Sequence, residues 1–145
     1  MAAPRWSEHT LRRRVQFYEV DSAGIVHFSN YFRYLEEAEH ALWRAAGLSI
    51  AAPGAEVGFP RVAASFEYHR PLRFEDEIEV HLRVEAMTDK SIRYGCTITV
   101  DGARAATGRV TIVCVRRQPD GTLKATPIPP DIASRFEVAG DGGDN

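Results

Sequence analysis

Catalysis needs side chains that attack or exchange protons, held where their neighbours do not quench them. The densest such set lies between Val15 and Gly47, which reads VQFYEVDSAGIVHFSNYFRYLEEAEHALWRAAG. Asp21 falls in a loop between an apolar strand and a long helix, with no cation nearby in sequence. A carboxylate so placed can act as a nucleophile or take a proton from water. Its structural counterpart is a turn or capping Asp. Gly24 would let the chain turn sharply and let a ligand approach the backbone. The helix that follows Ser29 begins with unpaired N–H groups and a positive dipole end, preorganised donors for an anionic oxygen. His27 is a candidate base or pocket residue. Asn30 is a candidate cap or substrate contact, and Tyr31 is expected in the core. Glu36 and Glu37 offer a second carboxylate site one to two turns into the helix, while Glu39 and His40 read as a solvated or interface face.

The rest of the chain bounds what these residues can serve. The protein has 145 residues, enough for one domain of ordinary size. With 18 Lys and Arg against 20 Asp and Glu the net charge is −2, which argues against nucleic acid as the main partner. No apolar run approaches the roughly 18 residues of a membrane helix, and the first residues carry no apolar secretory core. Two cysteines, Cys96 and Cys114, make neither a disulfide framework nor a Cys-based zinc site, so a reducing cytoplasm is the expected home.

Periodicity supplies the frame. A loose arm is expected over 1–10, one compact unit over 11–139 and a disordered tail over 140–145. A first strand is expected from Leu11 to Tyr18, with Val15 and Phe17 facing inward. Ser29 and Asn30 are N-cap types, and Gly47 suits a helix C-terminus. Between them Tyr31, Tyr34, Leu35, Ala38, Leu42 and Ala45 form an apolar stripe along about 17 residues, roughly 25 Å. After a Pro- and Gly-bearing loop over 49–60 the period becomes two. It runs through Val62–Tyr68, Ile78–Ala86, Ile92–Val100 and Val110–Cys114, with a hairpin at Asp101-Gly102. One helix cannot cover that much sheet unless the sheet curves around it, so the fold class is α+β, an antiparallel sheet wrapped on one long central helix. Edge strands of such a sheet favour side-by-side dimers. Aligning Val110 and Ile112 with Tyr94 and Ile92 puts Cys96 near Gly108, leaving Cys114 roughly 20 Å further along the ladder and out of bonding range.

The segment from Val15 to Gly47 closely resembles the signature of hotdog-fold acyl-CoA thioesterases of the 4-hydroxybenzoyl-CoA thioesterase and YbgC type. Asp21, Gly24, Ile25-Val26, His27-Phe28, Asn30-Tyr31 and Glu36 fill its positions in register, and the later strands and Ile128-Pro129-Pro130 fit the pattern as far as about residue 135. The resemblance implies hydrolysis of a CoA thioester to a free acid and CoA, with no cofactor or metal. It implies that Asp21 attacks the carbonyl or activates water, and that the backbone N–H of Phe28 holds the oxyanion. Relatives of the YbgC type carry His one position later, where this chain has Phe28, so the resemblance gives His27 no proton-transfer role. His27, Asn30 and Tyr31 are then substrate-contact candidates, and Glu36 is the runner-up catalyst.

Coenzyme A is a polyanion, and its phosphates ask for Lys and Arg at a pocket mouth. Lys90, Arg93 and Arg116 (beside Arg117) gather at one edge of the hairpin, because residue 114 falls opposite residue 90. Arg61, Arg70 and Arg73 are weaker candidates. The resemblance further implies a homodimer, or a dimer of dimers, with sites at the subunit interface, and neither a nucleic-acid nor a membrane partner. Two other readings share the pocket: an enoyl-thioester hydratase and a non-catalytic acyl-CoA-binding module. Phe28, Phe59 and Phe66 fit an aromatic or branched acyl group, yet equally fit a core.

Overall fold

Strict alternation in the second half of the chain builds the main sheet. The computed structural model describes residues 4–140. Its five-stranded antiparallel sheet comprises β1 (Glu8–Arg14), β3 (Arg61–Tyr68), β4 (Glu77–Met87), β5 (Ser91–Val100) and β6 (Ala103–Val113), in the order β1-β4-β5-β6-β3. A small second sheet joins β2 (Val57–Gly58), β7 (Val115–Arg117) and β8 (Leu123–Ala125), in the order β2-β7-β8. The helix α1 (Asn30–Ala45) packs on the main sheet, and a short α2 (Pro130–Ala133) closes the chain.

The core is the meeting of two periods. Ile78, Val80, Leu82 and Val84 of β4 and Ile92, Tyr94, Cys96 and Ile98 of β5 point to one side at period two. Tyr34, Leu35, Ala38 and Leu42 of α1 meet them at steps of three and four. Each fully buried Leu or Ile contributes roughly 1.5–3 kcal/mol, which is what bends the sheet around the helix. The helix stops where the sequence stops it. Gly47 takes a φ of +82°, its N–H bonds to the Arg44 carbonyl (3.0 Å), and the Leu48 N–H reaches back to Trp43 (2.8 Å), a Schellman ending. The β5–β6 hairpin turns through Asp101 (φ 50°) and Gly102 (φ 76°), the left-handed pair that a two-residue turn needs. Its register pairs Tyr94 with Val110 and Cys96 with Gly108, as the apolar pattern requires. Both cysteines are buried and free.

Several expectations give way. The first strand begins at Glu8 and ends at Arg14, so residues 8–10 belong to the sheet rather than to a loose arm. Trp6 forms a bridge with Phe136, which ties the start of the chain to its end. Residues 141–145 of the expected tail, like residues 1–3, lie outside the described residues. Phe17 does not face inward with Val15; the chain turns through a 3-10 segment (Phe17–Glu19) and leaves Phe17 exposed. Ala45 is exposed, and Trp43, off the expected stripe, is buried instead. The fourth expected strand is cut at Val113, because the chain leaves the main sheet at Cys114 and enters the small one. Glu39, expected on a solvated face, is fully buried. It pairs with Arg61 at the start of β3, beside a hydrogen bond from the Trp43 indole to the Tyr94 hydroxyl (2.9 Å). Last, β3 is an edge. Its apolar residues Val62 and Tyr68 are exposed, 61% and 46%, and no strand covers its outer side among the described residues.

Candidate active site

The loop between β1 and α1 stands on a buried foot. Arg13, at the end of β1, grips both oxygens of Glu19 (2.9 and 2.7 Å), the Gln16 N–H adds a bond (2.8 Å), and the Tyr34 hydroxyl a further one (2.9 Å). Burial alone would push the Glu19 carboxyl up, but these donors together hold it below its ordinary value. Both oxygens of Glu19 are therefore engaged, Oε1 by three donors and Oε2 by Arg13, and the side chain is turned to the foot of the loop. Its backbone is used as well: the Glu19 carbonyl accepts from the His27 N–H (2.9 Å) and from the Asn30 side-chain amide (2.8 Å).

Beyond this foot the loop makes a tight turn. The Asp21 N–H bonds to the Ile25 carbonyl (2.8 Å), and the Gly24 N–H returns to the Asp21 carbonyl (2.9 Å). Gly24 adopts φ +83°, a left-handed conformation that a side chain would strain, although a Cβ there would meet nothing. Asp21 itself accepts one hydrogen bond, from the Ala23 N–H to Oδ1 (2.8 Å), and among the described residues no other donor reaches its carboxylate. The turn leans on the segment before β4, through the Val26 N–H to the Leu72 carbonyl (2.8 Å) and a bridge between Ile25 and Arg73.

An open cleft of about 460 Å³ lies beside Asp21. The loop lends it Asp21, Ile25, Val26 and Phe28; the first turn of α1 lends Tyr31; the end of β3 and the residues after it lend Tyr68, His69, Arg70 and Pro71. Tyr31 is buried, and desolvation pushes its phenol up. The Phe28 N–H has no acceptor among the described residues, and it sits just before the helix start. A carboxylate with open lone pairs and a residue with an unengaged N–H thus border one apolar cleft. That set can attack an acyl carbon and hold the oxygen that becomes charged.

The sequence candidates divide. Asp21, Phe28 and Tyr31 line the cleft. Gly24 does not; it sets the turn that carries Asp21. His27 is exposed, stacks on the Phe28 ring (centroids 4.5 Å apart) and bonds Ser29 through Nδ1. Asn30 is not the cap, which is Ser29; Asn30 spends its amide on the loop foot. Glu36 is exposed and pairs with Arg61 (3.0 Å). The basic group is not brought to Asp21 within the chain. Tyr68 of the cleft pairs with Ala106, whereas Lys90 accepts the Cys114 N–H (2.7 Å) at the far end of the sheet. From Ala106 to Cys114 the strand direction covers roughly 25 Å. There Arg93 lies near Glu85 (3.6 Å), and Arg116 pairs with Glu56 (3.0 Å). Sequence reasoning missed the cleft wall of Tyr68, His69 and Pro71. Its only local signal is an aromatic strand ending in His-Arg-Pro, and nothing in the pattern connects that to a loop some forty residues earlier.

The fold and this cleft define a class, and comparison with known proteins agrees. The family model described as the thioesterase-like superfamily matches residues 15–136. The solved structure of a gentisyl-coenzyme A thioesterase superposes with a TM-score of 0.79 at 26% identity, covering 89% of this chain and 100% of that one. A 1,4-dihydroxy-2-naphthoyl-CoA hydrolase of Synechococcus elongatus is 23% identical over 138 residues, 93% of this chain and 99% of the relative. An Aquifex aeolicus relative described as an esterase is 48% identical over 80 residues, a stretch that spans 53% of this chain and 61% of the relative's own length. The chain belongs to the thioesterase-like superfamily. It has the hotdog fold, and by class it is a thioester hydrolase.

Proposed function

We propose that the protein hydrolyses an aromatic acyl-CoA to the free acid and CoA. The observation that carries this is the state of Asp21: a carboxylate with only one backbone bond, beside an apolar cleft lined as well by Phe28, whose N–H has no acceptor among the described residues. Asp21 attacks the thioester carbonyl, or takes a proton from the attacking water. As the carbonyl carbon becomes tetrahedral, its oxygen gains charge, and the Phe28 N–H with the positive end of α1 offsets that charge. The thiolate of CoA then leaves and takes up a proton. On the nucleophilic route the acyl–Asp21 anhydride that remains is cleaved by water, which releases the free acid and restores the carboxylate. Aromatic acyl groups are favoured because Phe28, Tyr31 and Tyr68 supply ring faces and edges to the cleft, and because the two relatives with named substrates act on hydroxylated aromatic thioesters.

The working unit is a homodimer, alone or paired into a tetramer. The exposed β3 edge, with its apolar Val62, supports antiparallel pairing of two copies into one continuous sheet. In that pairing the Arg61 end of one β3 meets the Tyr68 end of the other. The far basic group, Lys90, Arg93 and Arg116, would then approach the partner's cleft and serve the CoA phosphates. The free cysteines fit a reducing, cytoplasmic setting.

Thiol release from a panel of aromatic, short and long acyl-CoAs tests the reading. Release with aromatic substrates, lost in Asp21→Asn while CoA binding persists, is the expected result. No release by the parent protein from any thioester would instead make the cleft a binding module.

A further inference from the structure

The Phe28 side chain is 63% exposed, so packing does not hold residue 28. Yet an oxyanion donor must be aimed before the reaction begins. The bonds around it show how. The peptide that joins Phe28 to Ser29 is tied at both ends. Its carbonyl accepts from the Tyr68 hydroxyl (3.2 Å), and its N–H donates to His27 Nδ1 (3.2 Å). A backbone N–H can only donate, so in this bond Nδ1 is the acceptor, and the Ser29 hydroxyl meets the same nitrogen (2.7 Å). The preceding peptide is tied as well, because the Asn30 N–H bonds to the His27 carbonyl (2.9 Å). The Phe28 N–H belongs to that preceding peptide, and the tied Phe28–Ser29 peptide fixes the other side of the same residue. Rotation that would swing the Phe28 N–H is therefore restrained from both sides, and that N–H is the group left free. Tyr68 is in turn well seated: its ring stands edge-on to the buried Tyr31, centroids 4.8 Å apart at 82°. Tyr68 comes from β3 and His27 from the loop, so the tie spans two parts of the chain.

We infer that Tyr68, together with His27, is a positioning residue that aims the Phe28 N–H at the thioester oxygen. This rests on the thioesterase reading of the cleft. Tyr68 forms no bond to the substrate in this role; it holds the Phe28–Ser29 peptide, the neighbour of the one that carries the Phe28 N–H, and so limits rotation about residue 28. The aromatic ring serves the cleft and the hydroxyl serves the donor, and one substitution separates the two.

Tyr68→Phe keeps the ring against Tyr31 and removes the hydroxyl. Losing an oxyanion donor outright costs about 10²–10³-fold in kcat, so loosening one is expected to lower kcat roughly tenfold with KM within about twofold. The thermal midpoint should hold within about 2 °C, as for a half-exposed side chain. His27→Phe keeps a ring for stacking and removes the other tie. Because both ties hold one peptide, the double variant should fall by less than the product of the single effects. In 15N spectra the Phe28 and Ser29 amide resonances should move in Tyr68→Phe, and their hydrogen exchange should quicken. An unchanged kcat, or KM and thermal midpoint shifting along with kcat as for plain structural damage, would overturn the inference. The amide spectra keep it separate from the parent reading. If the parent protein released no thiol, the thioesterase assignment would fail by itself, whereas unmoved Phe28 and Ser29 resonances would sink the tie whatever the activity.

Discussion

Glu19 and Asp21 stand two residues apart on one loop, and the fold treats them in opposite ways. Glu19 is buried at the foot of the loop, with its oxygens filled by Arg13, the Gln16 N–H and Tyr34. Asp21 is half-buried at the tip, holds one backbone bond and borders the cleft. Both are acids in a stretch that could have served one chemistry. A carboxylate with both oxygens held by donors is fixed in place, and it stabilises the loop. One with lone pairs left open toward a cleft can react, and contributes little to holding the chain. The more buried acid is the structural one here, so burial alone is a poor guide to catalysis.

The largest effect expected from this contrast is on activity. Asp21→Asn should lower thiol release by about 10³-fold while changing the free energy of urea unfolding by less than about 0.5 kcal/mol. Glu19→Gln should do the reverse in kind. It leaves the half-buried Arg13 guanidinium with only one of its two carboxylate partners, Glu37 (2.9 Å), and should cost about 2–3 kcal/mol in the same urea measurement. A Glu19→Gln protein as stable as its parent would break the comparison.

Acid titration sharpens it. The native Glu19 carboxyl is held below its ordinary value of 4.5, so the unfolded chain takes up that proton first. The stability it contributes is full above that ordinary value and is lost as the pH falls toward the native one. Glu39 has the opposite sign. Burial pushes its carboxyl above 4.5 despite Arg61, so its ionisation weighs against the fold as pH rises, and acid relieves it. Between about pH 6 and pH 3, Glu19→Gln should flatten the acid loss of stability, and Glu39→Gln should steepen it. Identical slopes in both variants would refute the assignment. Tyr34→Phe is the smallest change. It removes one of several bonds to Glu19 and should cost about 1 kcal/mol by urea unfolding, with activity retained.

Legibility followed the range of the interactions. The C-terminal limit of the helix was readable because Gly47 acts on its own neighbours; Ser29 stands at the N-cap but its side chain makes no cap bond. The β5–β6 register was readable because a two-residue turn and two alternating strands leave one alignment that buries both apolar faces. The place of Asp21 beside a cleft fits the long local motif that surrounds it. Glu39 was misplaced because it looks like one charge among many on a polar helix face; its burial depends on Arg61 arriving from β3. Phe17 was misplaced because alternation continues in the sequence after the strand has ended, and the capping of the 3-10 turn by Glu19 overrides it. The strand over Glu8–Thr10 was missed because His9 and the polar residues around it form no apolar run, and pairing with β4 supplies the order.

Composition, periodicity and one long motif were enough to determine an antiparallel sheet wrapped on a single helix, and to mark a candidate carboxylate ahead of that helix. These follow from turns, caps and alternation, whose energies act over a few residues. Tertiary structure alone decided which acids are spent and which is free, that the cleft wall comes from the end of β3, and that the basic residues lie at the opposite end of the sheet. Those outcomes depend on lone pairs being filled, and space being left, by groups distant in the chain, and only the folded arrangement determines which groups arrive.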